Sequence, residues 1–310
     1  MVAIPLTEFR YTFARMSNHN IFAGAFVDRS GHRRKDPEWL RSAVDSAESR
    51  FVPVWGDKCL ADGEPLRTVL LNRSEVSGFL ESHETIFLGM YQGQPAFAVG
   101  IDGTLDAPFP EAGEFHDLRY LGSALPVDEA NLAAHARALV LWHRLQKHCG
   151  VCGSISRVES GGNTRICEND DCGAHIFPRV DPAIIVLVSK GERCLLGRQP
   201  SWPDSRYSTI AGFVEPGESL EDAVRREVAE ETNIEVGAVN YHSSQPWPFP
   251  SSLMLGFTAE ALSSEILLND GELEDAQWFT RKELRSGYPK LPYRLSIARR
   301  LVDNWLEPND

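Results

Sequence analysis

Three carboxylates, Glu227, Glu230 and Glu231, stand at i, i+3 and i+4 in one short stretch. On a helix that spacing puts them on one face, with Cβ atoms about 5–6 Å apart. Left unneutralised they repel, so the set makes most chemical sense around a divalent cation, and hard oxygen donors suit Mg²⁺ or Mn²⁺. Arg226 stands beside them, placed to orient a glutamate through a bidentate pair. Taken alone, the triplet reads equally as a solvated acidic helix. The glycine loop before it, Ala211 to Glu218 with a turn at Pro216-Gly217, tips the reading toward a metal site. A second set is made of sulfur: Cys149-Gly150-Val151-Cys152, a 14-residue gap, then Cys167 and Cys172 separated by four residues. Two tight thiol turns complete a tetrahedral all-thiolate site suited to Zn²⁺. Four protein ligands leave no position for water, so the expected role is structural. Cys59 and Cys194 are isolated and read as ordinary small core residues.

These side chains need elements to position them. Ser219 is a plausible N-cap for a helix over Leu220–Thr232, with Ala223, Val224 and Val228 on its buried face. Strands are expected near Ala183–Ser189, Arg193–Gly197, Val236–His242, Leu253–Glu260 and Ala276–Phe279, and a final helix near Leu295–Trp305. Between the helix and the last strands lies Ser244-Gln245-Pro246-Trp247-Pro248-Phe249-Pro250-Ser251-Ser252. Prolines alternating with aromatics make a stiff extended loop that presents Trp247 or Phe249 at low entropic cost. Upstream, Asp128 is the expected N-cap of a helix reaching Lys147, whose His135, His143 and His148 are not spaced as ligands and read as surface residues. Before it, short apolar runs broken by turn signals indicate a mainly β domain with no catalytic constellation. The expected organisation is a β-rich N-terminal domain over 1–127, a connecting helix over 128–148, a zinc ribbon over 149–176 and an α/β domain over 177–310.

Composition frames this. The chain has 310 residues, 42% hydrophobic and 24% charged, the balance of an ordinary globular protein. With 31 Lys plus Arg against 44 Asp plus Glu, the formal charge is −13, which argues against a protein gripping long nucleic acid through phosphates. An acidic protein handling an anionic small molecule needs cations or local Arg to offset repulsion. Met1–Arg15 shows no basic stretch followed by an apolar run, and Leu306–Asp310 no targeting motif, so the simplest expectation is a reduced, cytoplasmic setting.

The segment Gly212–Ile234 resembles the Nudix box through Gly212, Glu218, Arg226, Glu227, Val228, Glu230, Glu231 and Ile234, with Asn233 where the pattern has glycine. Asn is the non-glycine residue best able to turn left-handed at a helix end, so the geometry survives. The string from Ser244 to Ser252 resembles, position for position, the signature of the NADH pyrophosphatase family, whose module order is also that of this chain. The resemblance implies an α+β protein: a Nudix α/β/α sandwich preceded by a zinc ribbon and a divergent N-terminal domain, acting as a homodimer. It implies Glu227 and Glu231 as principal ligands of Mg²⁺ or Mn²⁺, Glu230 as ligand or base, Arg226 beside them, Ala211 as a ligand through its carbonyl, and Glu272 as a further ligand, with Glu274 its near neighbour. It further implies substrate contacts at Gln245, Pro246, Trp247, Pro248, Phe249, Pro250, Ser251 and Ser252, at Ala298, and at the aromatic Phe177 and Phe213. At Gly162 the family can carry a substrate-contacting acidic residue; here it is glycine. The implied activity is hydrolysis of the NADH or NAD⁺ pyrophosphate to nicotinamide mononucleotide and AMP, chemistry that would equally remove a nicotinamide-dinucleotide cap from RNA. The alternatives are a Nudix hydrolase of another nucleoside diphosphate derivative such as ADP-ribose, or an inactive zinc-ribbon RNA-binding protein.

Overall fold

The computed structural model describes residues 19–80, 85–268 and 271–307. Met1–Arg15 and Pro308–Asp310, considered above, lie outside them. The chain opens with β1 (Val27–Asp28), α1 (Pro37–Asp45), β2 (Arg50–Trp55), β3 (Lys58–Asp62), β4 (Arg67–Thr68), α2 (Ser77–Leu80), β5 (Thr85–Tyr91), β6 (Gln94–Ile101), β7 (Glu114–Asp117), α3 (Leu118–Ala124) and α4 (Val127–Leu145). The strands form one sheet in the order β1-β5-β6-β2-β3-β4, with β7 also on β3. Its two faces fill alternately, as the period of a strand requires. Phe97, Val99 and Ile101 of β6 face α1, while Ala96 and Ala98 face α4.

The helix expected as a connector is therefore a layer of this first unit. Twelve of the residues in α4 are buried, and Pro126 rather than Asp128 occupies its N-cap. Asp128 sits in the first turn, where its carboxylate accepts the Tyr91 hydroxyl at 2.7 Å. The surface reading of its histidines also fails at His143, which is buried and meets the Gly162 carbonyl at 2.7 Å and Arg165 at 2.9 Å. His148 falls beyond the helix end and is exposed.

A three-stranded ribbon follows, β8 (Ser156–Glu159), β9 (Thr164–Cys167) and β10 (His175–Ile176). Then come β11 (Asp181–Lys190), β12 (Arg193–Arg198), β13 (Ile210–Phe213), α5 (Leu220–Thr232), β14 (Val236–Trp247), β15 (Ser252–Ala261), β16 (Asp275–Thr280), α6 (Arg281–Arg285) and α7 (Ile297–Leu306). This sheet runs β14-β15-β11-β12-β16, with β13 on β11. Ile184, Val186 and Val188 of β11 point toward α5, and Ile185 and Leu187 toward α7. The unbroken apolar run at 183–188 is thus a central strand covered on both faces, paired parallel to β15.

The two sheets share one connectivity. The path β5-β6-β2-β3-β7 repeats β14-β15-β11-β12-β16, each with a single parallel pair at its centre and antiparallel neighbours. In both, a late helix, α4 or α7, packs on that parallel pair. They differ in the segment that leads into β5 in the first unit and into β14 in the second. The second unit carries the 13-residue α5 there; in the first, the described part of that segment includes α2.

Candidate active site and thiol cluster

Helix α5 begins where its chemistry asks it to. Ser219 accepts the Asp222 amide at 3.2 Å, and Glu221 and Asp222 meet the positive end of the helix. It ends at Asn233, which takes a left-handed conformation (φ 62°) and closes the last turn onto Ala229. Ala223, Val224 and Val228 are fully buried and lock the helix onto the sheet, as expected.

The opposite face is organised by Arg226. Its guanidinium grips Glu218 in a fork (2.6 and 2.9 Å), and reaches Glu227 at 2.9 Å, Glu230 at 3.0 Å and the Phe213 carbonyl at 3.0 Å. The arginine thus orients three glutamates at once, and its main partner is Glu218. That residue was visible in the sequence only as part of the box pattern. The Arg226 guanidinium pulls the Glu218 carboxyl down to about 2. Glu227 is raised instead, first by burial, with Glu230 and Glu272 adding like charge. Glu231 is buried, whereas Glu230 is half in solvent. Among the described residues no three of these carboxylates bring an oxygen within 4.8 Å of one another; the four thiols do.

Gly212 is fixed by the same cluster. A Cβ there would lie 2.0 Å from the Glu227 carboxylate. The loop glycine serves close approach, not an unusual backbone turn. Ala211 precedes it on β13, opposite Ile185, and packs with buried Ala298 against the α7 side of the sheet. Of the two downstream glutamates, Glu274 is held by Arg198 at 2.7 Å, while Glu272 contributes to the field at Glu227.

The proline-aromatic segment is more of a strand than expected. β14 continues through Pro246 and Trp247, which an edge strand tolerates because one side of it needs no amide donors. Gln245, expected at the substrate, is instead fully buried. Its carboxamide donates to the Ile21 and Leu295 carbonyls and accepts the Ile297 amide at 2.8 Å, at the start of α7. Ser251 donates to Asp181 at 2.7 Å, and Ser252 lies opposite Asp181 on β11. Ala183 faces Phe213 on one side and Met254 on the other. Strand spacing then sets the box loop and the start of β15 about 10 Å apart at one end of the sheet. Phe213 and Phe177 are both exposed, and Phe177 stacks beside His175. At Gly162 a Cβ would meet Ile86 at 2.8 Å, so the position has no room for a side chain.

The thiols of Cys149, Cys152, Cys167 and Cys172 converge, with Sγ–Sγ distances of 3.8 Å for 149–172 and 3.4 Å for 152–167. The Val151 amide donates to Cys149 Sγ, and Gly153 and Gly173 take positive φ to close the two turns. All four are free thiols, so the cluster is one that could hold a metal. Cys59 and Cys194 are buried far from it, their thiols pushed up to about 12 by burial, in keeping with inert core residues.

Comparison with known proteins agrees with this geometry. Residues 178–303 match the NUDIX domain profile, and residues 48–142 match that of the NADH pyrophosphatase-like rudimentary NUDIX domain. The second match accounts for the repeated connectivity and for the inclusion of α4 in the first unit. The NAD-capped RNA hydrolase NUDT12 of Homo sapiens is 34% identical over 94% of this chain and 74% of its own length. The NAD-capped RNA hydrolases NudC of Pseudomonas aeruginosa and Deinococcus radiodurans are 40% and 42% identical, over 71% and 73% of this chain and 76% and 79% of theirs. With a rudimentary unit before the thiol cluster, a complete one after it and such relatives along nearly its whole length, the chain belongs to the NADH pyrophosphatase family of Nudix hydrolases.

Proposed function

We propose that the chain hydrolyses the pyrophosphate bond of NADH and NAD⁺, yielding nicotinamide mononucleotide and AMP, and that it removes nicotinamide-dinucleotide caps from RNA 5′ ends. The observation that carries this is the convergence of the Arg226-ordered glutamates and the Trp247–Ser252 segment at one end of one sheet. The naming of the relatives as NAD-capped RNA hydrolases supports the same substrate.

The donor set fits divalent cations. Glu227, Glu230, Glu231 and Glu272, with the Ala211 carbonyl, are hard oxygen donors, and Mg²⁺ or Mn²⁺ is the ion they suit. When bound, such cations neutralise the pyrophosphate oxygens and lower the pKa of water. Arg226 holds Glu227 and Glu230 in one orientation, and Gly212 lets the Glu227 carboxylate lie against the backbone. Glu230, half exposed, is the group placed to take a proton from attacking water. Phe213 and Phe177 offer open rings for a base. The four cysteines hold structural Zn²⁺. The domain limits 1–127, 128–148, 149–176 and 177–310 stand as a working division, with α4 packed into the first. Homodimeric assembly and a cytoplasmic setting complete the reading; no helix among the described residues is long and apolar enough to cross a membrane.

Incubation with NADH and Mg²⁺ or Mn²⁺, with products resolved by chromatography, tests the activity. AMP with reduced nicotinamide mononucleotide is expected. Absence of AMP from NADH alongside rapid turnover of ADP-ribose would place the chain with other Nudix substrates. Tight RNA binding without turnover would make it a binding protein. Light scattering in solution reads the dimer.

A further inference from the structure

The Trp247–Pro250 turn belongs by sequence to the second unit, yet most of what holds it comes from the first. Phe249 and Trp247 pack against the hydrophobic cluster of the N-terminal sheet. The Arg119 guanidinium lies 4.0 Å over the Phe249 ring and that of Arg137 5.1 Å from it, while Phe22 approaches at 6.1 Å. Buried Arg137 also donates to the Pro248 carbonyl and, at 2.8 Å, to the Asp57 carbonyl, tying the turn to the end of β2. On the strand leading into the turn, Asn20 donates to Ser244 O at 2.7 Å and to Ser243 Oγ at 2.9 Å. A ring covered by a guanidinium is no open platform for a base. Its position is that of a peg.

We infer that the N-terminal unit, whose sequence has no glutamate triplet at i, i+3 and i+4, serves as the jig for the recognition turn, with Arg119 and Arg137 as positioning residues and Phe249 as the peg they grip. Cation–π contact on one ring face and a charge-assisted hydrogen bond to the adjoining carbonyl fix the turn before substrate arrives, which removes an ordering cost from binding. The inference rests on the reading of Trp247–Ser252 as the dinucleotide-recognition segment.

The test uses the full-length protein. Arg119 is more than half exposed, so Arg119→Ala leaves packing largely intact. It should raise KM for NADH about 10-fold with kcat within about twofold, while KM for ADP-ribose, which lacks the nicotinamide, stays put. Amide exchange at Trp247, Phe249 and Ser251 should quicken about 10-fold. Arg119→Lys should restore part of both, and Arg119→Ala combined with Phe249→Leu should add little to either alone. An unchanged NADH-to-ADP-ribose ratio with unchanged exchange, or fully additive effects, overturns the inference. Should wild-type protein not turn NADH over, the functional reading fails by itself, and the exchange arm still decides the clamp.

Discussion

At the scale of single residues, Gly212 shows what a motif position is for. The glycine is required because the Glu227 carboxylate occupies the space of a side chain, 2.0 Å from where a Cβ would be. Gly212→Ala should therefore displace Glu227 and cost activity about 100-fold or more, since small misplacements in a catalytic site are expensive. The change in Tm should be slight, so kcat and Tm measured together separate a site effect from unfolding. Glu231→Gln should abolish turnover with the fold intact by circular dichroism; unaltered turnover would remove Glu231 from the machinery. That Glu227 and Glu230 lie within reach of one partner was legible from helical spacing, because 3.6-residue periodicity fixes which side chains share a face. The pairing of Arg226 with Glu218 was not, since a turn separates them. Neither was the inward turn of Gln245, whose three partners lie 50 or more residues away.

Elements were legible where their patterns are strong. Helix α5, its Ser219 cap and its Asn233 end agree with the structure, as does the central strand at 183–188. Helix α4 was found but misjudged, because a helix rich in alanine and buried nearly all round carries only a faint amphipathic signal. Its burial has a consequence at His135, which faces Arg29 and Arg34. Burial first, and then those two guanidiniums, hold its imidazole well below the usual 6.5. The unfolded chain takes up a proton near pH 6.5 that the fold refuses, so this contribution is complete above 6.5 and lost as pH falls below it. Urea unfolding should show stability declining from pH 7 to 5, and His135→Gln should flatten the slope; an equal slope in the variant would exclude His135 as its source. The ribbon makes a different prediction, because its core is the thiol cluster. Metal analysis should return about one zinc per chain, and Cys152→Ser should reduce that to about a tenth or less and speed amide exchange through 149–173. Zinc-free wild-type protein with an ordered ribbon would contradict it.

Across the whole molecule, one sheet connectivity is used twice with opposite chemical outcomes. The first unit has the strands and the late helix, but between β4 and β5, where the second unit has α5, its sequence carries no glutamates at i, i+3 and i+4. The duplication was hidden from sequence inspection because the two units share topology without sharing the motif by which the second is recognised. What the first unit retains is surface: the Arg119 and Arg137 face and the Phe22 contact that meet the turn of the second. The acidity of the chain, −13 overall, likewise has a local expression where Glu230 and Glu272 add like charge at Glu227. If catalysis belongs to the second unit alone, disabling it leaves nothing in reserve. Glu227→Gln keeps the shape of the side chain and its place against Gly212 while removing the charge. NADH turnover should then fall about 1,000-fold or more, with no slow remainder attributable to the first unit. The variant should still bind NADH in equilibrium dialysis, because the clamped turn and the open Phe213 ring are untouched. A residual rate within about 10-fold of wild type would mean that the rudimentary unit, or another cluster, performs hydrolysis after all.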